Sequence, residues 1–158
     1  MILCDQDLIF DLQTLWRYCW YAAYFLSCRM VILYVDDDVE DIEIFAEAVK
    51  EFDGTIQCMV AENGKKAMDI LHSDLLPDMI FLDINMPVIN GRVILAEIRK
   101  DKKFNEIPVV MYSTTMDPIE IEEYKKMGAD YFLKKHNHFQ ELCDAVAGML
   151  SRPGLRRG

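Results

Sequence analysis

Seven polar residues stand at or just past the ends of short apolar runs: Asp36, Asp37 and Asp38 behind Val31–Val35, Asp83 behind Met79–Leu82, Ser113 and Thr114 behind Val109–Tyr112, and Lys135 close behind Tyr131–Leu133. Taken singly, each has an ordinary role. An acidic triplet in a loop is a solvated helix cap, and a single Asp at a strand end is a cap or turn former. Ser and Thr shortly before Pro118 serve as caps, and a lone Lys is surface. Their conjunction suggests other chemistry. Carboxylates that converge within a few ångströms repel one another, and such a cluster persists where a cation neutralises it. Oxygen ligands without His or Cys select a hard ion, Mg²⁺ or Mn²⁺, and Mg²⁺ keeps waters and completes its octahedron with phosphate oxygens.

For these residues to meet, the apolar runs must lie side by side with their ends together. Val31–Val35 is a continuous β-branched run that stops at aspartates, as a strand buried on both faces would. Ile42, Phe45, Ala46, Val49 and Phe52 then fall on one helical stripe, closed by Asp53-Gly54. Thr55–Val60 alternates imperfectly, which suits a strand near an edge. Ala67, Ile70 and Leu71 mark a helix started near Asn63-Gly64, and Met79–Leu82 a second buried strand. Asn90 caps a helix with Ile94, Leu95 and Ile98 inward, and Asp117-Pro118 reads as N-cap and first helical turn. Gly128 ends that helix, Tyr131–Leu133 is a fifth strand, and Phe139, Leu142, Cys143, Val146, Met149 and Leu150 form a 3.6-residue stripe. Five strand–helix units without internal repeat predict an α/β fold, a parallel doubly wound sheet. In such a sheet ligands sit at the carboxyl ends of the strands, beside the switch in strand order.

Four segments in order, VDDD (35–38), LDINMP (82–87) with Gly91, PVVMYST (108–114) and GADYFLKK (128–135), resemble the receiver domain of two-component response regulators over residues 30–150. The resemblance implies a flavodoxin-like five-stranded parallel sheet of order 2-1-3-4-5. It implies that Asp83 is the phosphoacceptor, taking its phosphoryl group from a sensor histidine kinase or a histidine phosphotransfer protein. Mg²⁺ (or Mn²⁺) would be held by Asp37 directly, by Asp36 largely through water, by an oxygen of Asp83 and by the backbone carbonyl of Asn85. Lys135 would pair with Asp83 at rest and with the phosphoryl group afterwards. Ser113 matches the switch hydroxyl and Phe132 the switch aromatic. Three positions depart from the family pattern: His136 replaces a proline that commonly forms a cis peptide, Thr114 replaces a smaller residue, and Phe132 lacks the hydroxyl of a Tyr.

Composition bounds the alternatives. The 158 residues, 52% hydrophobic and 28% charged, suit one soluble domain. A net charge of −10 argues against direct nucleic-acid binding, which runs on neutralising phosphates. Five cysteines (4, 19, 28, 58 and 143) lack metal-ligand spacing and leave no complete disulfide framework, so a cytoplasmic setting is expected. Residues 1–29 hold both tryptophans, and their longest uncharged run, Tyr18–Cys28, is too short to span a membrane. The segment is expected to be an apolar extension outside the family domain rather than an amphipathic helix, and residues 151–158 a short basic tail. Nothing after residue 150 suggests a DNA-binding domain, so a stand-alone receiver acting through a downstream protein or a phosphorelay is expected, with a homodimer left open. An aspartyl phosphatase of the haloacid-dehalogenase type needs a second Asp where Asn85 stands. A degenerate receiver, binding partners without phosphorylation, is disfavoured because Asp37, Asp83 and Lys135 are all present. His72, His136 and His138 read as surface, and Cys58 and Cys143 as small core residues.

Overall fold

The computed structural model describes residues 30–87, 90–115 and 117–152. The expected extension over 1–29 and the tail from 153 onward lie outside the described residues. Strands β1 (Val31–Val35), β2 (Gln57–Ala61), β3 (Met79–Asp83), β4 (Val109–Ser113) and β5 (Tyr131–Lys134) alternate with helices α1 (Val39–Phe52), α2 (Gly64–Leu71), α3 (Gly91–Lys100), α4 (Pro118–Lys126) and α5 (Phe139–Leu150). All strand pairs are parallel and the order is β2-β1-β3-β4-β5, as expected.

The period of two along each strand builds two cores from one sheet. Ile32 and Tyr34, Met79 and Phe81, Val110 and Tyr112 face α1 and α5, where Phe45, Val49, Leu142 and Val146 are buried. Leu33 and Val35, Ile80 and Leu82, Val109 and Met111 face α2, α3 and α4 over Ala67, Leu71, Ile94, Leu95, Ile98 and Tyr124. Continuous apolar strands are therefore required at β1, β3 and β4, and all three are buried throughout. Edge strand β2 is only partly covered.

The caps are local chemistry. Asp38, Asn63, Asn90 and Asp117 each accept backbone N–H groups at the start of a helix. Pro118 opens α4, and Gly128 follows it with φ of 100°, in the left-handed region glycine favours. Two expectations are corrected. The strand expected at Thr55–Val60 runs from Gln57 to Ala61, because Ile56 N–H bonds Asp53 O at 3.0 Å and belongs to the preceding turn. Cys143 is buried, but Cys58 is only partly so; burial still pushes its thiol up to about 11.

Candidate functional site

The carboxyl ends of β1 and β3 adjoin at the centre of the sheet, and β5 brings its following residue across them. Asp36 and Asp83 are buried, at 1% and 3% exposure, while Asp37 is exposed. One carboxylate oxygen from each of Asp36, Asp37 and Asp83 lies within 4.8 Å of the others. The triplet read as one unit divides in two. Asp38 turns away to cap α1, accepting from Glu40 N at 2.9 Å and Asp41 N at 3.3 Å. Asp36 and Asp37 remain to face Asp83.

Each buried carboxylate is fixed by its neighbours. Asp36 Oδ1 accepts Asp38 N–H at 3.0 Å. Tyr34, two residues earlier and so on the same side of β1, donates its hydroxyl to Asp36 Oδ2. Asp83 Oδ2 accepts Asn85 N–H at 2.9 Å. Gly91 lies so close to this turn that a Cβ there would sit 2.3 Å from the Asp83 carbonyl oxygen. The glycine of the sequence motif thus lets α3 start against the end of β3.

Lys135 joins the set from the far side. Its Nζ lies 2.6 Å from Asp36 Oδ2, 2.7 Å from Asp41 Oδ2 and 3.0 Å from Asp83 Oδ1. The ammonium also stands 5.4 Å from the centre of the Tyr112 ring. The backbone holds the loop, since Lys135 N–H bonds Ser113 O at 2.7 Å. Burial works against the lysine's charge, but its three carboxylate partners outweigh this and hold the pKa above the ordinary lysine value. For Asp83 the balance runs the other way. Burial raises its carboxyl pKa above the usual range, and Lys135 and the Asn85 N–H only partly offset it.

Ser113 is buried beside this centre and accepts from Asn85 Nδ2 at 3.2 Å and from Thr115 N at 3.3 Å. Thr114 is exposed. Phe132 stands apart, part-buried against the core layer under α2, α3 and α4. No cis peptide occurs among the described residues. His136, expected to stand free on the surface, is half-buried with Nδ1 3.2 Å from Glu141 Oε2 on α5.

The donor set is oxygen throughout, which suits a hard divalent ion. Residues 32–147 match the response regulator receiver domain family. The chain belongs to that family. Among relatives of this receiver, the response regulator Rcp1 of Synechocystis sp. is 28% identical over 127 residues, 77% of this chain and 86% of its own length. The solved structure of the phosphorylated cyanobacterial phytochrome response regulator RcpA is 28% identical with a TM-score of 0.70, covering 77% of this chain and 91% of that one. The Mn²⁺-bound form of Rcp1 is 27% identical with a TM-score of 0.68, covering 77% and 92%. No helix among the receiver's described residues is long and apolar enough to cross a membrane.

Three participants escaped the sequence. Tyr34 read as a plain core residue and Asn85 was expected to act through its backbone alone. Asp41 lies in the first turn of a helix, where an acid serves the helix dipole and carries no signal of a site.

Proposed function

We propose that this receiver accepts a phosphoryl group on Asp83 from a sensor histidine kinase or histidine phosphotransfer protein, in a Mg²⁺-dependent reaction. It then signals by docking to another protein or by passing the group on, with no separate substrate turned over. The observation that carries this reading is the meeting of Asp83 with Asp36, Asp37 and Lys135 at the carboxyl ends of the central strands.

Asp36, Asp37, Asp83 and the backbone carbonyl of Asn85 are the groups that would hold Mg²⁺, or Mn²⁺ in its place. When bound, the ion supplies positive charge to the phosphoryl oxygens as the anionic nucleophile approaches. An oxygen of Asp83 attacks phosphorus. The O–P bond forms as the P–N bond to the partner's imidazole breaks, and the imidazole leaves with the bonding pair and takes up a proton. Asn85 N–H fixes the orientation of the Asp83 carboxylate, and Lys135 then shifts its ion pair from Asp83 to a phosphoryl oxygen. Ser113, which accepts from Asn85 at rest, then donates to the new anion, and Phe132 moves toward the space it vacates. Thr114 narrows the approach.

Incubation with acetyl phosphate tests this directly. The wild-type chain should gain one base-labile, hydroxylamine-sensitive phosphoryl group with Mg²⁺, and none in excess chelator or as Asp83→Asn. Label on another residue, or equal labelling without divalent ion, rejects the reading, and no label at all leaves a phosphorylation-independent binding module.

A further inference from the structure

Lys135 has three N–H donors; Asp36 and Asp41 accept hydrogen bonds from it, while Asp83 meets it as an ion pair. The longest of these contacts, 3.0 Å, is to Asp83; the contact to Asp41 is 2.7 Å. Asp41 stands outside the group of carboxylates that converge on a common ion position. Its side chain is 42% exposed, and Asp38 already caps α1 with Glu40 as a second acid in the first turn, so neither the cap nor the core rests on it. From the first turn of α1 it reaches the one cation that, among the described residues, pairs with the proposed phosphoacceptor.

Phosphoryl transfer gathers negative charge on oxygens beside Asp83, and an ammonium aids it only with the charge and donors it has to spare. An anion hydrogen-bonded to that ammonium cancels part of its field and competes for its orientation. We propose that Asp41 is a positioning residue that draws Lys135 toward α1 and withholds part of its charge from the phosphoryl group, thereby slowing phosphorylation of Asp83. The inference rests on Asp83 being the phosphoacceptor. It goes beyond that role by giving the receiver a built-in restraint on its own rate.

The step measured is attack of an Asp83 oxygen on acetyl phosphate: the O–P bond forms, the P–O bond to the acetyl group breaks, and acetate leaves with the electron pair. Full-length wild type, Asp41→Asn and Asp41→Glu are compared at fixed Mg²⁺ for initial rate of labelling, with thermal melts alongside. Asp41→Asn keeps the shape and loses the charge, and should label about three- to tenfold faster with little change in melting temperature. Asp41→Glu restores the charge and should stay within about twofold of wild type, a rescue that a merely structural role would not give. An Asp41→Asn rate equal to or below wild type overturns the proposal. So does an Asp41→Glu rate as high as that of Asp41→Asn, since charge would then be irrelevant. A wild type that takes up no phosphate instead sinks the phosphoacceptor reading, and this inference with it.

Discussion

Asp83 carries an unfavourable charge by design of its surroundings. At 3% exposure it has lost most of its hydration, and its carboxyl titrates above the usual range although Lys135 stands nearby. The folded chain therefore holds that proton more tightly than the unfolded chain. The cost is absent below the ordinary carboxylate range and grows as pH rises through the elevated value. Asp83→Asn removes it. In chelator, the variant should melt roughly 2–4 °C above wild type at pH 7, and the gap should shrink toward pH 4. A wild type that melts higher at pH 7 would mean that pairing with Lys135 outweighs burial. At this scale the sequence was legible where a residue's place in a strand limits its uses. Asp36, Asp37 and Asp83 stand at the ends of buried strands and Lys135 just past part-covered β5, and polar groups there must converge on something. Asp41 and the Asn85 side chain act across the gap between elements, so only the folded contacts reveal them.

Gly91 shows how an element is fixed from outside itself. Asn90 supplies the cap that starts α3, but the seat of the helix depends on its backbone approaching that of Asp83 and Ile84. Gly91→Ala would put a methyl group 2.3 Å from a carbonyl oxygen that cannot swing aside. The helix must then lift or β3 must bend, at a cost of about 1–3 kcal/mol. Urea unfolding should show a lower midpoint with unchanged slope; an unaltered midpoint would mean that the contact relaxes freely. The caps at Asn63, Asn90 and Asp117 were readable because capping is settled within four residues. The start of β2 was not, because alternation at a half-covered edge is weak and the preceding turn claims Ile56. His136 likewise found Glu141 only once α5 had packed.

Across the whole molecule, we propose residues 30–150 as the folding unit. Met30 is already part of it: its side chain is buried in the layer under α1 and α5, and its carbonyl accepts Gln57 N–H at 2.9 Å. A chain beginning at Met30 should melt within a degree or two of the full one and keep Mg²⁺-dependent labelling. One beginning at Leu33 also loses the fully buried Ile32, worth about 1.5–3 kcal/mol on its own, and should melt far lower. If the Met30 chain loses several degrees, residues 1–29 belong to the core and the proposed boundary is wrong. The sheet order was legible only through the family resemblance. Alternating strands and helices dictate a doubly wound sheet, but apolar runs of equal length do not say which pair is central.

The span of the Lys135 ion pairs sets an order of events in the making of this protein. Lys135 follows Asp36 by 99 positions, and β3 and β4 lie between β1 and β5 in the sheet. Contacts so far apart along the chain form only after the intervening strands have closed their own loops. A chain emerging from the ribosome presents its aspartates first and its lysine last. Until β5 docks, Asp36, Asp41 and Asp83 have one another's repulsion and no ammonium between them. On the proposed reading, competence to take up a phosphoryl group is thus confined to the finished receiver, and a half-made one carries Asp83 without its cation.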